Sequence, residues 1–159
     1  MSYIHPTALI GPNVTIGEGC YIGPYCIIGF PAEWKGKEDE GKGVTIGSNT
    51  RITGAVTIDS GAESPTVIGA DCYIMKQVHI GHDVGIGNGV TLSPGARVGG
   101  HAVIGIGTNV GMNAVIHQRV YVPGGCMIGM GAVVTKKTEM EPNCKYAGVP
   151  AKYLGRNEK

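Results

Sequence analysis

The stretch QVHIGHDVGIGNGV sets His79 and His82 three residues apart, with Asp83 beside the second. Two further histidines come later, His101 in VGGHAV and His117 in VIHQRV, the latter with Gln118 and Arg119 next to it. Histidine takes up and returns a proton near neutral pH, so a histidine of this group suits a general base that activates a hydroxyl or an amine. Asp83 or another acceptor could fix its tautomer. Gly100, beside His101, leaves room for a ligand to approach the backbone, and its amide N–H could stabilise an oxyanion. A base plus an oxyanion donor is the minimal equipment for acyl transfer from a thioester. No serine or cysteine stands in the group, so direct attack by the acceptor is expected rather than a covalent acyl-enzyme.

Residues scattered over this much sequence act together only if a regular scaffold gathers them. Ile4, Ile10, Ile16, Ile22 and Ile28 are spaced by six, as are Ile46, Ile52 and Ile58, and a third run of aliphatics extends in the same steps from Ile68 to Val134. A small residue, such as Ala8, Val56, Ala96 or Ala132, stands two places before most of these positions, and glycine or a polar turn comes after many of them. The 28 glycines and the 6% aromatic content favour short strands joined by tight turns over helices. The pattern resembles the hexapeptide-repeat proteins over residues 4–135. The resemblance implies an all-β, single-domain, left-handed parallel β-helix, in which three hexads close one eighteen-residue coil. Twenty rungs at three per coil give about seven coils.

On that scaffold, residues eighteen apart stack at about 4.8 Å. Gly81, His82 and Asp83 then lie under Gly99, Gly100 and His101, which lie under His117, Gln118 and Arg119. Three histidines thus meet at one corner, with His79 just before it. Two breaks interrupt the ladder. The longer is an inserted loop, 29–43, with the only tryptophan, Trp34, and the only phenylalanine, Phe30, which an exposed spacer would not need. The shorter lies at DSGAESPTV. The domain is expected to span 1–135, with a tail over 136–159. Cys20, Cys26, Cys72 and Cys126 fall two places before a rung and read as core filler, with Cys144 outside the pattern.

The stretch from HIGHD to IHQ further resembles the UDP-N-acetylglucosamine O-acyltransferases that begin lipid A synthesis. By that likeness His82 is the base, Asp83 its neighbour and Gly100 the oxyanion donor, while His79, His101, His117 and Gln118 bind substrate. The tail, with AGVPAKYL, looks like the end of acetyl-CoA-dependent sugar acetyltransferases. Met112 and Met130, one coil apart, stand where a long acyl chain would run, which argues for a short donor. Ala147, Gly148 and Lys152 are expected at the pantetheine or phosphate end of that donor. Lys136, Lys137, Lys145, Lys152, Arg156 and Lys159 would attract coenzyme A phosphates or an acyl carrier protein.

The function expected is therefore acyl transfer from acetyl-CoA or acyl carrier protein to a nucleotide-activated sugar, with no tightly bound cofactor, by a homotrimer. O- and N-transfer both remain open, as does a long-chain donor. A metalloenzyme of the γ-carbonic-anhydrase type shares the fold, but gaps of 3, 19 and 16 between the four histidines do not match its ligand spacing, so no metal is expected. A non-catalytic scaffold would have little need of the histidine corner. A net charge of +1 gives no reason to expect nucleic acid. The N-terminus lacks a basic region followed by an apolar run, no window suits membrane insertion, and five cysteines without paired metal spacing fit a reduced, cytoplasmic setting.

Overall fold

The computed structural model describes residues 1–39 and 41–158. Lys159, one of the basic tail residues, lies outside them. The chain winds as a left-handed parallel β-helix with three sheets of nine, seven and six strands. Strands two to five residues long alternate with turns, because each hexad offers one inward aliphatic before glycine or a polar residue bends the chain. Successive coils pair in parallel at the eighteen-residue spacing, as in Tyr73 with Thr91, Ile80 with Val98, and Ile86 with Ile104.

The rungs form one continuous core. Ile22, Ile52, Ile80, Ile104 and Val122 are fully buried, with Ala96, Ala102 and Ala132 filling the corners between them. At the open end of the prism, where no coil packs beneath, Ile4 is exposed and Ile10 and Ile16 are half-buried. All five cysteines are buried and unpaired.

The breaks leave the prism intact. Ile16 pairs with Ile46, thirty positions on instead of eighteen, so twelve extra residues leave the coil and return in register. Ile46 pairs with Ile68, twenty-two positions on, so the shorter break adds four.

The far end differs from the sequence expectation in two ways. Cys144 is 1% exposed and sits one coil beyond Cys126, inside the pattern after all. The strand Cys144–Ala147 pairs in parallel with Met127–Ile128 and brings Tyr146 onto Ile128 as a further rung, so the solenoid runs to about eight turns. An aromatic in place of an aliphatic hides this rung from a search for Ile, Leu and Val. Lys152–Arg156 then folds back antiparallel on that strand and ends the sheet.

Candidate active site

The histidine corner lies between the seven-stranded and six-stranded sheets. His82 C=O accepts from His101 N–H at 2.9 Å, and Gly100 C=O accepts from Arg119 N–H at 2.9 Å, which fixes the three triplets in their stacked register. The third residue of each triplet adopts a left-handed backbone, with φ of 60° at Asp83, 61° at His101 and 62° at Arg119. At the other two corners of these coils the same place is taken by glycine or asparagine, as in Gly95, Gly107, Asn113 and Gly125. A non-glycine residue there costs roughly 1–2 kcal/mol, less for Asp, Asn and His than for Arg. The corner thus carries a side chain at this place on all three coils.

Asp83 is the best-anchored of these side chains. Its carboxylate is fully buried and accepts hydrogen bonds from the N–H groups of Ala62 (3.0 Å), Glu63 (2.8 Å) and Ser64 (2.6 Å). It also accepts from His82 Nδ1 at 2.7 Å. Burial alone would raise its pKa, but the donors from Ser64, His82, Ala62 and Glu63 outweigh that and hold it well below the usual carboxylate range. Its own N–H donates to Thr66 Oγ1 at 3.0 Å. The shorter break is therefore a cradle of amides for one carboxylate. Because a carboxylate can only accept, Nδ1 of His82 carries the hydrogen, and the neutral ring keeps its free lone pair on Nε2.

That Nε2 faces Gly100. A Cβ at position 100 would lie 2.5 Å from it, so only glycine fits. Among the described residues no oxygen accepts the Gly100 N–H, which leaves it able to donate to a ligand. His101 stands edge-on to His82, with ring centroids 5.1 Å apart, and its Nε2 is buried without a hydrogen-bond partner, 3.7 Å from both Asp83 Oδ2 and Glu63 Oε2. His117 and Gln118 are exposed one coil further on, where His117 Nδ1 donates to the Gln118 carbonyl at 2.9 Å. His79 faces outward from the adjoining seven-stranded sheet, with Nδ1 2.7 Å from Thr57 Oγ1 and Nε2 3.8 Å from Asp59 Oδ2.

The donor atoms of His82, Asp83 and His101 lie within 4.8 Å of one another, close enough for a cation. The Asp83 oxygens, however, are already engaged by backbone amides and by His82, so the group is organised as a hydrogen-bonded dyad.

Three contributors were not assigned from the sequence. Trp34, from the longer insertion, stacks over His82 at 4.9 Å between centroids and meets His101 edge-on at 5.8 Å. Asp59 holds His79 and accepts from Glu33 N–H at 3.4 Å; burial raises its pKa, with His79 opposing. The third is the Ala62–Ser64 cradle. The signal available in the sequence was that both breaks fall on the coils just before His82.

The expected donor residues lie elsewhere on the chain. Met112 and Met130, exposed on neighbouring coils, occupy the opposite edge of the seven-stranded sheet together with Gly148, and Ala147 precedes that turn. Lys152 lines a shallow cavity of about 310 Å³ with Thr135, Lys137, Thr138 and Tyr153. Within one chain these residues do not reach His82's corner.

Comparison with known proteins gives the same family from three directions. The bacterial transferase hexapeptide family (six repeats) matches residues 1–32 and 65–100. An acyl-[acyl-carrier-protein]–UDP-N-acetylglucosamine O-acyltransferase of Paraburkholderia phymatum is 32% identical, over 99% of this chain and 74% of its own length. The corresponding protein of Campylobacter concisus is 31% identical, and the chain spans only 62% of its length. Among solved structures, UDP-N-acetylglucosamine acyltransferase from Campylobacter jejuni superposes with a TM-score of 0.80 at 27% identity, covering 98% of this chain and 75% of that one. Identity and coverage at the level of the Paraburkholderia protein show descent as well as shape: the chain belongs to the family of hexapeptide-repeat acyltransferases that includes the UDP-N-acetylglucosamine O-acyltransferases.

Proposed function

We propose that the protein transfers an acyl group, short and acetyl-like, from a coenzyme A or acyl-carrier-protein thioester to a hydroxyl or amine of a nucleotide-activated sugar. The observation that carries this reading is the His82–Asp83 pair, with Nε2 directed at Gly100 and its free N–H. Nε2 takes the proton of the acceptor as its oxygen or nitrogen attacks the thioester carbonyl. The Gly100 N–H donates to the oxyanion that forms, and Asp83 supports the imidazolium. Collapse of the tetrahedral intermediate expels the thiolate, which receives the proton from His82. His79, His101, His117 and Gln118 hold the sugar or the donor.

The placement of Met112, Met130, Ala147, Gly148 and Lys152 supports a homotrimer. A second prism packed against the histidine corner brings its own donor edge into reach, and closed cyclic symmetry is the usual solution for soluble homo-oligomers. Light scattering on purified protein should give three times the 16.5 kDa chain mass; a monomer at assay concentration would refute this. A cytoplasmic setting agrees with five unpaired cysteines. No helix among the described residues is long and apolar enough to cross a membrane.

A second reading is O-transfer of a long acyl chain from acyl carrier protein to UDP-N-acetylglucosamine; the names of the relatives support its donor and acceptor. Thiol release with UDP-N-acetylglucosamine and other UDP-linked sugars, using acetyl-CoA against long-chain acyl carrier protein, separates the two. His82→Ala should lower turnover about 10²–10⁴-fold on the accepted pair. Near-normal turnover in that variant would remove the base assignment.

A further inference from the structure

His82 is held on three sides by contacts of different kinds. Asp83 takes its Nδ1 edge, Gly100 lies at its Nε2 edge, and the indole of Trp34 covers its ring face at 4.9 Å with the planes inclined by 31°. We infer that Trp34 is a positioning residue for the general base, whose indole face holds the His82 imidazole in its productive plane and stabilises the imidazolium formed when Nε2 takes the acceptor's proton. This inference rests on the proposed role of His82.

Besides the two histidines, the indole meets the Lys37 ammonium, 5.5 Å from its centroid. Trp34 is outside the apolar core cluster and only partly buried, on a loop that leaves the prism and folds back over the corner. The loop is tied down at the site, since Glu33 N–H donates to Asp59 Oδ2 at 3.4 Å, and a local turn holds Trp34 between Ala32 and Lys37. His101 braces the indole edge-on at 5.8 Å.

The Lys37 ammonium opposes a second cation there, while the indole face itself favours one. An indole presents a negative face, so it attracts the imidazolium more than the neutral ring, and tryptophan does this best among the aromatics. His82 is 13% exposed, so water screens the attraction little. Asp83 acts in the plane of the ring and Trp34 above it, and the two are independent. The proton balance is that of the proposed reaction: it passes from the acceptor to Nε2 and from Nε2 to the departing thiolate, and Trp34 neither gains nor loses one.

The test uses the full chain and its single tryptophan. In thiol release with acetyl-CoA and UDP-N-acetylglucosamine, Trp34→Leu should lower kcat about two- to thirty-fold, as expected for one cation–π contact, with little change in KM for the donor. Trp34→Phe should recover most of that loss. Emission of Trp34 should shift to longer wavelength in His82→Ala, where loss of the ring opens the indole face to water, and this readout needs no substrate. If His82→Ala kept its turnover, the proposed function itself would fall. If His82→Ala were inactive but Trp34→Leu kept wild-type kcat, or Leu and Phe lost activity alike, the inference alone would be overturned. Should Trp34→Leu fail to fold, an emission spectrum unchanged between wild type and His82→Ala would overturn it equally.

Discussion

Replacing Asp83 by Asn exchanges one buried oxygen for an NH2 group at constant shape, in a site where every lone pair of the carboxylate already has a partner. Oδ1 accepts from Glu63 and Ser64 N–H, and Oδ2 from Ala62 N–H and His82 Nδ1. An amide keeps only one of these pairs. With its oxygen toward Glu63 and Ser64, the NH2 faces Ala62 N–H, which is orphaned, and His82, whose ring must turn its Nδ1 lone pair to the amide. One unsatisfied buried N–H costs about 1–3 kcal/mol, and loss of charge assistance in the two retained bonds about 1 kcal/mol each, together roughly 3–5 kcal/mol at neutral pH. For a chain of 159 residues, at about 2–4 °C per kcal/mol, Tm should fall by roughly 10 °C. The tautomer change places hydrogen on Nε2, which then has no lone pair for the acceptor's proton, so turnover should fall about 10²–10⁴-fold. His82→Ala should lose similar activity but little stability, because the three backbone donors still satisfy Asp83. The pH dependence has a definite sign. Asp83 is held below its unfolded value of about 3.9, so its stabilisation is complete above that pH and is lost as pH falls below it toward the folded pKa. Calorimetric Tm of wild type and Asp83→Asn should therefore converge below about pH 4. Equal melting at neutral pH, or wild-type turnover in Asp83→Asn, would refute this reasoning.

Other substitutions probe the neighbours. Asp59 is raised by burial, so it destabilises the fold once ionised; Asp59→Asn should raise Tm at neutral pH and lose that advantage as pH falls through the folded pKa toward about 4, while KM for the acceptor rises. A curve parallel to wild type across that range would contradict the assignment. Gly100→Ala places a Cβ 2.5 Å from His82 Nε2, and His82 is pinned by Asp83 and Trp34, so turnover should drop by about 10²-fold and the strain, about 1–3 kcal/mol, should lower Tm by several degrees. Unaltered kinetics would show that the ring yields. Tyr146→Ala empties the last rung and removes the hydroxyl that accepts from Glu141 N–H at 2.7 Å, so chemical unfolding should show a loss of about 3–5 kcal/mol. A loss below about 1 kcal/mol would mean that the tail does not stabilise the solenoid.

Most of the prism could be read from the sequence because burial in a solenoid is periodic: Ile80, Ile86 and Ile104 declare their places by spacing alone. The corner was legible for the same reason, since counting by eighteen brings His82, Gly100 and Gln118 together without coordinates. Cys144 and Tyr146 keep this count from Cys126 and Ile128, but the turns over 135–142 and an aromatic rung concealed it. Trp34, Asp59 and the Ala62–Ser64 amides escaped for a different reason. The breaks set aside the periodic rule over their own length, so no arithmetic places a loop residue against a coil. Trp34 drew notice as an aromatic without a core position, yet nothing in its neighbours told which histidine it would cover.

The repeat and its interruptions divide the proposed chemistry between them. The prism supplies groups whose positions are set by backbone register alone: the imidazole of His82, the N–H of Gly100 and the edge of His101. A repeat of hexads cannot by itself surround those groups, because every neighbour on the same face recurs one coil away, and its small corner residues leave the ring faces open. The four-residue break closes the Nδ1 side of His82 through Asp83, and the twelve-residue break closes its ring face through Trp34. Both breaks return in register, so neither disturbs the core pairing of Ile58 with Ile80 or of Ile80 with Val98. Changes within the breaks should therefore alter the chemistry at His82 while the solenoid continues to fold.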